Sequence, residues 1–270
     1  MQIYCLTLLS FVLAINHCLI AQDNGKPLEA RQVEPLEDKS LTPEEYQRLG
    51  MPSVKKDWDG KNYLQALSVL EKLKTTPEKL PRHESSKSGQ VFARLSDRAG
   101  MQAALEKLEP GKERMMEAMN YLQSQSKMLM LYSVAAWPRR SLVVEQIELT
   151  EPLLYIATLA MKESQEFYKT LDPNDPTFSV RKRGFENMHK NMSSMLTGVY
   201  VCLGDRVYCK PATRVRLTNI MSTYVPNILS LLPAELREDS QRRLEALISK
   251  ETDPTVQQAM KGLSSKLPKK

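Results

Sequence analysis

The stretch DWDGKNYLQALSVLEKLK, residues 57–74, carries the clearest structural pattern in the chain. Its apolar side chains return every three or four residues, at Tyr63, Ala66, Leu67, Leu70 and Leu73. This spacing places them along one face of an α-helix. Such a face is stable in water only when it packs against other apolar surface, so the stretch predicts an amphipathic helix docked on a core.

Helical periodicity also runs through most of the remaining chain. We expect a first helix opened by Thr42 and stopped by Gly50, because Thr42, Pro43 and Glu45 form a capping box with proline in the first turn. Further helices are expected within 91–108, 112–137, 141–171, 178–203 and 212–232, with two short ones within 233–267. Pro152 and Pro226 are expected to kink or split their helices.

Composition supports the same fold class. The 270 residues include only 10 glycines, whereas good helix formers such as Leu, Met, Glu, Lys and Gln are plentiful. One segment, VYVCLGDRVYC at 199–209, also fits a β-hairpin with its turn at Gly204–Asp205. The sequence therefore predicts an all-α domain of antiparallel helical hairpins, arranged as a bundle or a short solenoid-like array.

Two short regions resemble helical-repeat proteins. The spacing of Gly60, Tyr63 and Ala66 is similar to the first helix of a tetratricopeptide unit, although the second-helix signature does not follow and no 34-residue period recurs. The C-terminal helix pair, 233–267, is similar in texture to a HEAT-like antiparallel pair. These resemblances imply a helical-hairpin scaffold and no particular ligand.

The N-terminal region predicts an exported protein. The apolar run from Cys5 to Ile15 is too short to span a membrane and is followed by a small-residue cleavage site at Ala21, which is typical of a secretory signal peptide. No Lys or Arg precedes this run, and the alternative is a buried N-terminal helix. We therefore expect a signal peptide at 1–21, a flexible acidic linker at 22–40, the all-α domain at 41–265 and a basic tail at 266–270. No later segment reaches transmembrane length, so the mature chain is expected to be soluble and either secreted or periplasmic.

Charge is unevenly spread along the mature chain. Residues 22–45 hold seven acidic and three basic side chains, whereas residues 181–216 hold eight basic and two acidic ones. This asymmetry predicts an anionic partner for the later segment, through Arg181, Lys182, Arg183, Arg206, Lys210, Arg214 and Arg216. The alternative is an ordinary solvated helix surface. An acidic protein, an envelope polymer or a lipid head group fits an exported chain better than nucleic acid, for which no recognition motif or aromatic platform is evident.

The segment MHKNMSSM, 188–195, raises the question of a soft-metal site. Met188, Met192 and Met195 share a helix face, and His189 lies beside them, so thioether ligands for Cu(I) are one interpretation. The other is core packing, because the stripe continues to Phe185 and Val199, and other predicted helices also use methionine as apolar filler. We favour core packing, and no cofactor is expected.

Cys202 and Cys209 are the only cysteines that remain after the predicted cleavage. An exported compartment is oxidising, so we expect them to form a disulfide bond. In the helical alternative for 199–209 this bond clasps the short connection between two helices. Closing so small a loop stabilises a fold by roughly 2–2.5 kcal/mol in the chain-entropy model.

Enzyme chemistry finds little support in the sequence. No G-x-S-x-G elbow, glycine-rich phosphate loop or H-E-x-x-H motif is present, and only His83 and His189 remain after the predicted cleavage. A carboxylate-dependent hydrolase using Asp57 and Asp59 is an alternative, but acidic residues before a helix more often cap it. We therefore expect a binding or scaffold protein and assign no catalytic residue.

Overall fold

A computed structural model of the protein describes residues 36–136 and 141–268, and all structural statements below concern these residues. They form ten α-helices, one 3-10 turn and no β-strand: α1 Pro43–Arg48, α2 Gly60–Leu73, the 3-10 turn Pro77–Lys79, α3 Gly89–Leu95, α4 Arg98–Glu106, α5 Lys112–Ala136, α6 Val143–Lys169, α7 Phe178–Gly204, α8 Pro211–Ser230, α9 Ala234–Lys250 and α10 Pro254–Lys266. The all-α prediction is confirmed. None of the described helices is both long and apolar enough to cross a bilayer.

Local capping signals set the first helices. Thr42 and Glu45 form the predicted reciprocal capping box at the start of α1. Gly50 follows α1 with a φ of 104°, a left-handed conformation that favours glycine and turns the chain away from the helix. At the start of α2, Asp59 accepts a hydrogen bond from the Asn62 amide at 2.8 Å, so this carboxylate is the helix cap.

The chain divides into two compact units, and the division falls inside α6, between Ile156 and Ala157. The described residues up to Ile156 are called the N-terminal unit below. Those from Ala157 to Pro268 are called the C-terminal unit. The predicted signal peptide, most of the predicted linker and the end of the predicted basic tail lie outside the described residues.

The core of the N-terminal unit is built around α2, which packs against α5. The five apolar residues that predicted α2 are all buried. Tyrosine side chains add a second kind of contact, because four buried phenols donate hydrogen bonds to backbone carbonyls: Tyr46 to Lys79, Tyr63 to Arg94, Tyr121 to Trp58 and Tyr132 to Pro81. Each bond satisfies a carbonyl in a loop or at a helix end, so the tyrosines tie the connections to the core.

The loop at 80–88 is mostly polar in sequence, but its two ends are buried. Leu80, Arg82 and Ser88 lie in the interior, whereas 84–87 is mostly exposed. The Arg82 amide donates to Ser88 Oγ at 2.9 Å, and the Arg82 guanidinium lies 3.8 Å from the Glu145 carboxylate. The two ends of the loop are therefore part of the interior. The hydrogen bond and the ion pair offset part of the cost of burying these polar groups.

In the C-terminal unit, α8 packs against α10, and α7 packs against α9. Pro152 in α6 and Pro226 in α8 do not split their helices, which continue through both positions. The segment 199–209 forms the last turns of α7 and a short connection to α8, so the helical alternative is the correct one and the hairpin is not formed. At the end of α7, a Cβ on Gly204 would lie 2.9 Å from a Leu247 methyl, so glycine permits the close approach of α9.

Candidate functional site

The structure separates the seven basic residues of segment 181–216 into two groups. Helix α7 has 27 residues and is therefore about 40 Å long at 1.5 Å per residue. Arg181, Lys182 and Arg183 lie in its first turns. Arg206, Lys210, Arg214 and Arg216 lie beyond its other end, in the α7–α8 connection and the first turns of α8. A run of charge that is continuous in sequence is thus not one surface.

Several acidic residues lie close in sequence to the first group. Lys182 and Arg183 are exposed, but the Arg181 guanidinium pairs with Asp175 at 3.7 Å. Asp172 and Glu186 are also exposed within the same stretch of chain. Opposite charges at such short sequence separation cancel much of the field at a distance, so this end of α7 has the character of a mixed, solvated surface.

In the second group, Arg214 is a structural residue. It is only 3% exposed; its Nε donates to the Leu203 carbonyl at 2.7 Å, and its Nη2 donates to the Glu251 carboxylate. The other Glu251 oxygen accepts the amides of Thr252 and Asp253, each at 2.9 Å. Arg214 therefore joins the end of α7 to the α9–α10 connection and is not available to a partner in solution.

The pKa of Glu251 reflects this environment. Burial alone would raise the pKa of this carboxyl above its ordinary value. The hydrogen bond from Arg214, the amide of Asp253 and the charges of Arg214 and Arg206 outweigh burial and leave the pKa lowered. Glu251 is thus ionised at neutral pH, while its side chain is 1% exposed.

The exposed cations around this pair form a second, distinct arrangement. Arg206 donates to the Lys250 carbonyl and keeps 42% of its side chain exposed, while Lys210 and Arg216 are exposed on the α8 side. The contact from Arg206 also brings Lys250, exposed in the last turn of α9, to this end of the unit. We call Arg206, Lys210 and Lys250 the basic turn surface. Arg216 is two residues beyond the buried Arg214 in α8, about 200° around the helix, and is therefore not part of this surface. Sequence reasoning missed Lys250, because it is 34 residues from Arg216 and only the packing of α9 brings it here.

The α7–α8 connection within this surface is held by Asp205. Its carboxylate accepts the amides of Val207 and Tyr208, each at 3.1 Å. Val207 is 63% exposed, the largest value among the exposed large apolar residues that the structure describes. The connection is therefore a fixed turn that presents an apolar side chain between Arg206 and Lys210.

The predicted disulfide between Cys202 and Cys209 is not formed among the described residues. Cys209 is buried and Cys202 is half-buried. The connection is instead held by the Asp205 side chain, by the bond from Asp205 N to the Cys202 carbonyl and by the Arg214–Glu251 pair. These noncovalent interactions hold the α7–α8 connection in the place of the predicted disulfide bond.

The methionine stripe lies in the core of the C-terminal unit. Met188, Met192 and Met195 are 5%, 2% and 2% exposed, as core packing predicts. His189 is half-buried beside them and packs edge-on against Phe185, with ring centroids 4.4 Å apart. Burial lowers the pKa of His189, and the nearby Glu186 opposes this shift. The described residues hold no group of three or more His, Cys, Asp or Glu side chains that could bind a metal ion.

The two acidic residues considered for hydrolysis have different roles. Asp59 caps α2, as described above, and its carboxylate accepts the backbone amide of Asn62. The Asp57 side chain is 91% exposed and approaches Arg94 at 3.8 Å. One carboxylate is thus a helix cap and the other is a solvated surface group, which does not give a general acid–base pair.

No known family model, curated protein or solved structure matches this chain.

Proposed function

We propose that the chain is an exported helical binding protein that engages an anionic partner through the basic turn surface. The observation behind this proposal is that Arg206, Lys210 and Lys250 are exposed, whereas Glu251, the carboxylate that pairs with Arg206 and Arg214, is buried. A cationic surface whose nearest counter-charge is removed from solvent attracts anions more strongly than one with interspersed carboxylates.

Two other carboxylates near this surface are also engaged. Asp205 accepts two backbone amides in the turn, and Asp253 accepts the amides of Thr255 and Val256 at the start of α10, each at 3.0 Å. Amide donors at these positions partly offset the negative charge. The three exposed cations of the basic turn surface therefore carry most of the charge that this turn presents to solvent, in contrast to the mixed group at Arg181–Arg183.

Export is the second part of the proposal, and it rests on the leader sequence. The apolar run from Cys5 to Ile15 and the small residue at Ala21 support cleavage by a signal peptidase. Intact-mass measurement of the protein recovered outside the cytosol tests this directly, because it gives the first residue of the mature chain. A mature chain that retains Met1 would contradict export by this route.

The binding proposal is tested by moving the same charge change between the two groups. Lys210→Glu/Lys250→Glu and Lys182→Glu/Arg183→Glu each lower the net charge by four. We expect the first variant to elute from immobilised heparin, a soluble polyanion, at clearly lower salt than the second. Equal elution of the two variants would show that only net charge matters and would remove the proposed surface.

A further inference from the structure

We propose that the anionic partner of the basic turn surface is a lipid bilayer with negatively charged head groups, on which the Val207 turn docks; this rests on the proposed function. The observation that leads beyond a general anion is the position of Val207. It is the most exposed large apolar residue of the described chain, and it lies between two cations of the basic turn surface. A bilayer with anionic head groups and an apolar interior interacts favourably with both the cations and Val207.

The chemistry of the turn fits the interface between water and lipid. Lys210 has a long side chain that places its charge among head groups while its methylene stem remains in a less polar layer. Arg206, which is anchored to the Lys250 carbonyl, adds positive charge at a fixed position. Tyr208 follows Val207 and is half-buried, and tyrosine is a residue type favoured at membrane interfaces. Lys250 adds positive charge from the end of α9, and each cation near an anionic bilayer contributes to binding independently of specific contacts.

The turn is also held in place before it meets a partner. Asp205 fixes the amides of Val207 and Tyr208, and Arg206 is anchored to the Lys250 carbonyl. The buried Arg214–Glu251 pair secures the helix ends beneath the turn. A turn that is already ordered loses little conformational freedom on docking, so more of its contact energy remains as affinity.

The test compares Val207 with Val180, which is 55% exposed at the opposite end of α7. The full chain and its Val207→Ser and Val180→Ser variants are titrated with neutral phosphatidylcholine vesicles and with vesicles that also contain phosphatidylglycerol. We expect binding to the anionic vesicles alone, about fivefold weaker in Val207→Ser, and unchanged in Val180→Ser. Binding of both variants to heparin should equal that of the unmodified chain.

Charge-reversal variants in the same vesicle titration test the contribution of the cations. Lys210→Glu/Lys250→Glu should weaken binding to anionic vesicles by about 30-fold or more, and Lys182→Glu/Arg183→Glu by much less. Full affinity of Val207→Ser for the vesicles would overturn the membrane proposal and leave the binding proposal standing. Stronger binding to polyglutamate or to single-stranded oligonucleotide than to vesicles would overturn it in favour of a soluble polyanion. Failure to bind any of these anions would reject both proposals.

Discussion

Each unit contains one buried pair of arginine and glutamate, and the two pairs differ in how completely they are satisfied. In the C-terminal unit, Arg214 donates to a carbonyl and to Glu251, and Glu251 also accepts two amides. In the N-terminal unit, the Arg82 guanidinium lies 3.8 Å from Glu145, and Arg82 Nε is buried without a hydrogen-bond partner among the described residues. The same two residue types thus form a tight structural clasp in one unit and a looser contact in the other.

The difference shows what makes a buried ion pair structural. Desolvation of two charges is offset only when the geometry is close and the remaining donors and acceptors are also bonded. The Arg214–Glu251 pair meets both conditions. It joins the end of α7 and the first turn of α8 to the α9–α10 connection. The Arg82–Glu145 pair meets them in part, although its members also hold the Leu36 carbonyl and the His83 amide, each at 3.3 Å. We therefore expect the C-terminal unit to depend more strongly on its pair.

The largest effect is expected from Glu251→Ala. This change leaves Arg214 as a buried charge without its carboxylate and removes the acceptor of two amides. We expect a loss of roughly 3–5 kcal/mol of stability in the C-terminal unit, measured by hydrogen exchange of α8 and α10. Glu245→Ala, at an exposed position of α9, is the matched control and should change exchange little. Similar exchange in both variants would show that the clasp does not stabilise the unit.

The stability losses caused by Arg82→Met and Arg214→Met compare the two ion pairs directly. Each change removes the cation and keeps an apolar stem of similar length. We expect Arg82→Met to cost about 1–3 kcal/mol in the N-terminal unit, less than Arg214→Met costs in its own unit, because the polar contacts of the Arg82 side chain are longer and its Nε has no hydrogen-bond partner among the described residues. Hydrogen exchange of α3 and of α8 reports the two losses separately. An equal or larger loss from Arg82→Met would contradict the ranking.

A smaller effect is expected at the start of α2. Asp59→Ala removes the cap and should cost about 1 kcal/mol, seen as faster exchange in the first turns of α2. Asp57→Ala, two residues earlier, removes an exposed carboxylate whose contact with Arg94 contributes little. If the two variants behave alike, Asp59 has no special role as a cap.

The smallest effect is expected from mild acid in the C-terminal unit. The pKa of His189 is lowered in the folded state, so folding favours the neutral imidazole. This stability is complete above the unfolded value of 6.5 and is lost as the pH falls through the folded pKa. Protection of α7 amides, corrected for intrinsic exchange, should therefore decline slightly between pH 7 and about pH 5. The decline should persist in Lys190→Gln and disappear in His189→Gln.

Much of the fold could be predicted from sequence because its determinants are local. Thr42, Glu45 and Gly50 define α1 within a few residues, and the apolar spacing around Tyr63 defines α2. The effect of the prolines is harder to predict from sequence, since Pro152 and Pro226 lie in helices that continue through them. Neighbouring packing stabilises such helices, and no local rule reports it.

The candidate site was only partly accessible to sequence reasoning. The high density of basic residues in 181–216 is evident from the sequence. Their division into two groups is not, because it depends on the length of α7, which separates them. Sequence patterns also do not distinguish the buried Arg214 from the exposed Arg216, or place Lys250 near Arg206. Those assignments depend on Glu251 and on the packing of α9, which are contacts between residues far apart along the chain.

The tyrosines of the N-terminal unit have a consequence at the alkaline end of the pH scale. Burial raises the pKa values of Tyr46, Tyr63, Tyr121 and Tyr132 above the ordinary value of 10.0, so folding favours their neutral phenols. This contribution is complete below pH 10.0 and is lost as the pH rises through the folded values. Their phenolate absorbance in the ultraviolet should therefore be delayed in a base titration and emerge together when the unit opens, giving an optical marker of its cooperative unfolding.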